Sequence, residues 1–421
     1  MHDPTHDPFT AAELATLREH GVALFADRVI FEAQPPMPED PIAAVQSQCA
    51  GPLPAGLLAL WRTTAGGRID YDLTLAMNGN QEAIGWNELF FNGSPGYHDL
   101  QGWIAHEQEI AEEAAIESGH ATGSLLTHLP IGGCESTDRI YVVVEPGAEH
   151  GHVIAWKRGL PPAWTHRLHE DALSPIATDL EGAFAALHLN EDPLAPSGDY
   201  FSGQALIEYL DDRHQAHGLD LALMDKLVAF YRRAMVDWRT PLAEGSLRHH
   251  PLLAHVAARH AIATDDAALV AELAAAGVSF DGPLQGSAIA TDVALGHSAF
   301  EATAALVRAG APVAPDALSN IDGAIAPELT DALLDNGAEP SVAAMVRCVA
   351  CGAPASARSI AAACMRVGID VPAAYETDRD ALLKELETEL AKVRNPAQAY
   401  AHYLGAEGLA ERIAHLQRFV L

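Results

Sequence analysis

The 421-residue sequence predicts two unlike parts, an α+β domain followed by an all-α helical repeat domain. Three observations predict them. Nearly all of the β-rich runs fall before residue 189. A stretch of Pro, Gly, Ser and acidic residues without periodicity, 190–203, reads as a linker. Beyond it, helix ends closed by glycine recur at near-regular intervals. Hydrophobic residues make up 49% and charged residues 19%, enough apolar material for packed cores, which excludes wholesale disorder.

In the first half, a helical extension occupies 1–40, with Leu14, Leu17, Val22 and Leu24 as its apolar positions. The α+β domain spans 41–189. Leu53-Pro-Ala-Gly-Leu-Leu-Ala-Leu-Trp61 reads as a helix, with Pro54 near its first turn, Leu57, Leu60 and Trp61 at helical spacing, and Gly66-Gly67 ending it. Strands are expected at Tyr71–Ala76, Ala83–Phe90 and Leu125–Pro130. Ile140-Tyr-Val-Val-Val144 and His152-Val-Ile-Ala-Trp156, joined by a Gly-containing loop, form a hairpin. A helix over Asp179–Leu187 closes the domain.

In the second half, Leu269-Val-Ala-Glu-Leu-Ala-Ala-Ala-Gly-Val278 is echoed by Ala304-Ala-Leu-Val-Arg-Ala-Gly-Ala-Pro-Val313. Gly310 follows Gly277 by 33 residues. Gly337 follows after a shortened interval of 27, and Gly368 after 31. Each unit is too small to bury its own apolar face, so neighbours must stack. The array is placed at 249–372, between helical caps at 204–248 and 373–421.

These repeats, with Gly296-His297 and the closing Gly310-Ala311, resemble ankyrin repeats, although Ser287-Ala-Ile-Ala-Thr-Asp292 stands where that family begins Thr-Pro-Leu-His. The first domain resembles the SUKH superfamily, the fold of many bacterial immunity proteins and of a yeast cell-wall regulator. That resemblance rests on Leu53-Pro and Leu57–Trp61 before Gly66-Gly67, on Leu129-Pro-Ile-Gly-Gly133 with Asp138, on the hairpin ending at Trp156, and on the helix bearing Phe184. It implies binding rather than catalysis: a bacterial immunity protein that neutralises a cognate protein toxin. An ankyrin-type scaffold for an endogenous partner is the alternative.

The charge count supports a partner with a basic face. Lys and Arg number 25 against 57 Asp and Glu, a formal net charge of −32. A surface of that sign repels nucleic acid and is steered towards cations. The acidic positions expected in loops are Asp70, Asp72, Glu135, Asp138, Glu145 and Glu149 in the first half, and Asp281, Asp316 and Glu339 after the glycine turns of the repeats. They are the candidate partner-binding residues. Five cysteines, an odd and sparse set, fit a reducing cytoplasm. The N-terminus has no basic-then-apolar leader, and no apolar run reaches membrane-spanning length.

Catalytic and metal chemistry find little footing, so no enzyme activity, cofactor or metal is expected. HExxH, GxSxG, Walker and GxGxxG patterns are absent. His249, His250, His255 and His260 cluster in sequence, but spacings of five spread them around a helix. His2, Asp3, His6 and Asp7 offer weak adventitious binding at most. Cys348-Val-Ala-Cys351 with Cys364 lacks a fourth zinc ligand and reads as small packing residues. Gly132-Gly133-Cys134 with His128 and Asp138 reads as turn glycines rather than a nucleophile elbow.

Overall fold

A computed structural model describes residues 9–77, 80–93, 99–118, 125–134, 137–157, 173–196, 201–395 and 400–421. The chain forms two compact units, Met1–Val236 and Asp237–Leu421. Among the described residues the first is mixed α+β and the second is helical apart from one short hairpin. Among the described residues, no helix is long and apolar enough to cross a membrane.

The first unit opens with α1 (Ala11–Glu19), started by a capping box in which Thr10 and Glu13 satisfy each other's backbone N–H. A hairpin of β1 (Ala23–Phe25) and β2 (Arg28–Ile30) follows, then α2 (Glu39–Gln46) and α3 (Ala55–Thr63). As the spacing requires, α3 buries Leu57, Leu60 and Trp61. After β3 (Gly67–Arg68), β4 (Thr74–Met77) pairs with β5 (Asn80–Ala83) as a separate ribbon. The main sheet is completed by β6 (Glu88–Leu89), β7 (His128–Cys134), β8 (Asp138–Val143), β9 (Val153–Lys157) and β10 (Leu173–Ala177). Its order is β10-β9-β8-β7-β6-β3, with every pair antiparallel. The hairpin read from sequence is β8–β9, and the closing helix is α5 (Leu180–Ala186), capped by Asp179.

The segment expected as a helical extension, 1–40, instead carries the β1–β2 hairpin and shares the core of this unit, and two further features differ from the sequence expectation. Gly132 and Gly133 lie inside β7, at a bulge, and not in a turn. A Cβ on Gly132 would collide with the Glu88 carbonyl of β6, and one on Gly133 with the Asp138 carbonyl of β8. Glycine is what lets the neighbouring strands close in. The second difference is α4 (Leu100–Ser118), which packs on β7 in a stretch where no helix is expected.

The expected boundary at 190–203 is also corrected. Here α6 (Gln204–His217) and α7 (Leu221–Tyr231) belong to the first unit, not to a cap on the repeats. Their Leu206, Leu210, Leu227 and Tyr231 are fully buried in the same core as Trp86 and Phe184. The chain passes to the second unit only at Val236/Asp237.

The second unit contains α8 (Arg239–Ala243), α9 (Pro251–Ala263), α10 (Ala267–Ala275), the hairpin β11 (Pro283–Gln285)–β12 (Ala288–Ile289), α11 (Ala290–Gly296) and α12 (Phe300–Arg308). It continues with α13 (Pro327–Asp335), α14 (Val342–Ala350), α15 (Pro354–Arg366), α16 (Val371–Val393) and α17 (Gly405–Arg418). The pairs stack in two layers: α10, α12, α13 and α15 in one, and α9, α11, a 3-10 turn at Ala317–Asn320, α14 and α16 in the other. That single 3-10 turn replaces a whole helix. It is the physical reason for the shortened interval between Gly310 and Gly337.

The glycine repeat is a helix-end device. Gly277, Gly310, Gly337 and Gly368 all have φ between +82° and +117°. In each case the next residue's N–H bonds back to a carbonyl five residues earlier, on Leu273, Leu306, Leu333 and Cys364 respectively. This is the Schellman arrangement, in which a left-handed residue satisfies carbonyls the helix leaves open.

Candidate partner-binding surface

The nine acidic positions divide sharply once they are placed in the fold. Asp70 and Asp72 are structural ties. The Asp70 carboxylate accepts N–H bonds from Ala205 (2.8 Å) and Leu206 (3.3 Å), and so caps the N-terminus of α6 from the far side of the sequence. Asp72 accepts from the Asn190 N–H (2.8 Å) and the Ser202 hydroxyl (3.0 Å), while its own backbone pairs with His188. Between them, Tyr71 accepts a bond from the Val29 N–H (2.8 Å), and Tyr231 donates its hydroxyl proton to the Asp70 carbonyl. Burial raises the Tyr71 and Tyr231 phenols far above the ordinary tyrosine range, so both stay protonated. Both oxygens of Asp72 are engaged in these ties, and at Asp70 one oxygen, Oδ2, takes both bonds.

Asp138 is corrected in the same way. It starts β8 rather than a loop, is buried, and accepts the Gly85 N–H at 2.6 Å. Desolvation raises its pKa, with the Gly85 bond and Lys157 pulling the other way. Buried Glu82 lies 3.9 Å from Lys157, whose ammonium also donates to the Ala83 carbonyl. The group pins the β4–β5 ribbon to the end of the sheet. The imagined Cys134–His128 pairing also fails on geometry. In the β7–β8 ladder, Cys134 faces Asp138 and His128 faces Val143, which puts the two at opposite ends of a seven-residue strand, roughly 20 Å apart at ~3.3 Å per residue.

Glu145 and Glu149 lie in a loop, as their spacing implies. Both are exposed in the β8–β9 turn, and the turn is held rigidly. The Val144 and Glu145 N–H groups both donate to the Thr127 carbonyl (2.8 and 3.1 Å), and His150 Nε2 lies 2.7 Å from the Pro52 carbonyl oxygen. Burial lowers the pKa of nearby His128, with Glu145 and Glu149 opposing that shift. Glu135 lies outside the described residues. In the second unit, Asp281, Asp316 and Glu339 are all exposed after their glycine turns. The Glu339 N–H bonds to the Pro315 carbonyl at 2.7 Å, which sets Glu339 beside the loop carrying Asp316. Asp292 adds to this edge: burial and then Asp316 raise its pKa.

Cys348, Cys364 and His260 take packing roles. Cys348 and Cys364 fall at the repeat position that Leu273, Leu306 and Leu333 fill elsewhere, five residues before the one after the glycine, and all five are fully buried. Burial pushes the Cys348 thiol up to about 12, unfavourable for a nucleophile or metal ligand. His260 packs on Trp238 with ring centroids 5.5 Å apart. Among the described residues, no three His, Cys, Asp or Glu side chains are grouped to hold a metal ion.

One group that sequence reasoning missed is Arg139, which is buried with its guanidinium carbon 3.4 Å from the Trp103 ring centroid. Beside it on β8, the Tyr141 hydroxyl donates to Glu107 of α4 at 3.1 Å. These charges hold α4 on the sheet. An Arg alternating with apolar residues in a strand run was the available signal. A scan against protein-family models, a search of curated proteins and a search of solved structures each returned no match to this chain.

Proposed function

We propose that this chain is a cytoplasmic immunity-type binding protein, in which a SUKH-like first unit and an ankyrin-like second unit present carboxylates to a basic face of a protein toxin. The observation that carries the reading is the β8–β9 turn, where Glu145 and Glu149 stand exposed on a backbone fixed by Thr127 and Pro52. A fixed turn loses little conformational entropy on binding, so its charge is available for recognition. The first unit also carries most of the charge, with 12 Lys and Arg against 34 Asp and Glu over residues 1–236. A nuclease holds phosphates with Lys and Arg, and an acidic surface competes for those groups.

Co-expression with the product of the adjacent gene, purified through a tag on this chain, tests the reading. Stoichiometric co-purification with rescue from toxicity supports it, as does an association rate that falls on the order of tenfold or more from low to high salt. A neighbour that is harmless and does not bind sinks immunity. The scaffold reading would then lead, supported by the edge of the repeat stack where the Glu339 backbone bonds to Pro315, the residue before Asp316. It expects residues 237–421 to capture the partner.

A further inference from the structure

In the second unit, α15 ends the layer that runs α10, α12, α13, α15, while α16 and α17 pack on α14 of the other layer. Among the described residues no helix follows α15 in its own layer. The Ser356 hydroxyl of α15 donates to the Ile325 carbonyl at 2.7 Å, just ahead of α13, which fixes the flank that faces back along the stack. At about 100° per residue, Arg358 and Met365 fall on the opposite flank, two turns apart, where a next helix of the layer would lie.

The repeat register shows what that flank does elsewhere. Counted back from the capping glycines Gly310, Gly337 and Gly368, Met365 takes the position of Val307 and Leu334, and Arg358 takes that of Phe300. Val307 is buried, and Leu334 and Phe300 pack against the core of the unit. Met365 is instead 58% exposed, and Val367 just past the helix 64%. A ridge that stacking covers in the earlier repeats is thus left open at α15.

The charge on this segment is the reverse of the chain's. None of the 57 Asp and Glu falls between Glu339 and Asp370, whereas Arg347, Arg358 and Arg366 do, and all three are exposed. Among the described residues none of the three forms an ion pair. The Arg358 guanidinium lies over the Phe419 ring at 5.5 Å, which leaves its N–H groups free to bond an acceptor. Exposed guanidinium groups beside an apolar ridge select carboxylates and turn basic partners away.

We propose that the open flank of α15 docks an acidic amphipathic helix of a partner protein. Its apolar face covers Met365 and Val367, and its carboxylates meet Arg358 and Arg366 at the rim, in the place of a next helix in the layer. A second copy of this chain suits the flank less well, because two such flanks face to face set cations near cations with no carboxylate from 340–369 between them. The proposal does not rest on the immunity reading, which uses carboxylates of other segments to meet a basic partner.

The probe is a fluorescein-labelled synthetic helix of about 18 residues, with Leu along one face and Glu along the other. It is titrated into the whole chain at ~0.15 M salt, where charges more than ~8 Å away are largely screened. Two control helices carry Gln in place of Glu, or Ser in place of Leu. The Glu–Leu helix is expected to bind saturably and one-to-one, with both controls weaker by about tenfold or more. Arg358→Gln and Met365→Gln are each expected to weaken it by about fivefold or more, and since both side chains are exposed the urea midpoint should stay put. Absence of saturable binding up to about 1 mM overturns the proposal. So does equal binding of the Gln control, or an affinity unchanged in both variants. Sedimentation of the chain alone that shows a dimer dissolved by Met365→Gln would assign the flank to a second copy and overturn it as well.

Discussion

The two units keep their elements in register by different means. In the first, the fastenings are long-range and each is used once. Asp70 caps a helix 135 residues away, Asp72 holds Asn190 and Ser202, and the Arg28 guanidinium closes the end of α5 through the carbonyls of Ala185 and Leu187. In the second, the fastening is local and repeated: a left-handed glycine, a backward N–H bond, and one buried residue at a fixed offset. A mixed fold whose sequence-distant segments meet needs individual ties, whereas a stack of near-identical pairs reuses one. The lesson is that acidic residues in the first unit cannot be assigned to a surface until their long-range partners are known.

The sharpest way to break this comparison is to cut the chain. Residues 1–190 contain everything the sequence assigned to the α+β domain, but they lack α6 and α7. The four buried side chains Leu206, Leu210, Leu227 and Tyr231, at about 2 kcal/mol each, sum to a sizeable part of a domain's ~5–15 kcal/mol net stability. Asp70 and Asp72 would also lose their partners. Residues 1–190 should therefore show no cooperative unfolding transition, whereas 1–236 should. Circular dichroism melts of both fragments test this, and a cooperative 1–190 would reduce the Asp70 and Asp72 ties to surface contacts.

Legibility in the sequence follows the same divide. The hairpin at β8–β9, helix α3 and the glycine caps were readable because each is specified within a few residues: alternating burial, a 3.6-residue period, a glycine past a helix end. By contrast α4 was not readable. Its buried face includes Leu100, Trp103, Ile104 and Glu107, so a carboxylate interrupts the apolar period. That carboxylate is satisfied by Tyr141, 34 residues on. Asp138 looked like a loop acid beside two turn glycines. The bulge that puts those glycines inside β7 depends on pressure from β6 and β8, which the local sequence does not carry. Glu145 and Glu149 were placed correctly because their turn is bounded by the two most strand-like runs in the chain.

Acid should separate the two units. In the second, burial pushes His255 down to about 4, with Arg259 adding to the shift. The unfolded chain takes up a proton below the ordinary histidine value of ~6.5 while the folded unit does not. The contribution of His255 is therefore fully present above pH ~6.5 and is lost progressively as pH falls towards 4. In the first unit, the Lys226 ammonium holds Glu13 at about 2, helped by the Thr10 backbone N–H. That contribution is present above about 4.5 and is lost as pH falls towards 2. Urea unfolding followed at 222 nm between pH 7 and 5 should show the helical unit weakening more, since His255 is pushed down to about 4 while His128 of the first unit, also lowered by burial, is opposed by Glu145 and Glu149. His255→Gln should flatten that slope, and an unchanged slope would mean the histidine is solvated in the folded protein.

The smallest effect isolates the repeated cap itself. Gly310 and Gly352 both adopt left-handed φ, +83° and +76°, and both end helices through the same backward bond. Their surroundings differ. A Cβ on Gly310 meets nothing within 4 Å, while one on Gly352 would come 2.9 Å from the ring of His415, whose Nδ1 lies 3.1 Å from the Ala350 carbonyl oxygen. Gly310→Ala should therefore cost only backbone strain, ~1–2 kcal/mol for a left-handed non-glycine residue, less the ~0.4–1 kcal/mol gained by stiffening the unfolded chain. Gly352→Ala should cost about 1 kcal/mol more, because it also displaces a partner of the α14 terminus. Denaturation midpoints of the two variants measure the difference directly. Equal losses would show that His415 gives way freely and that the stack rests on backbone conformation alone.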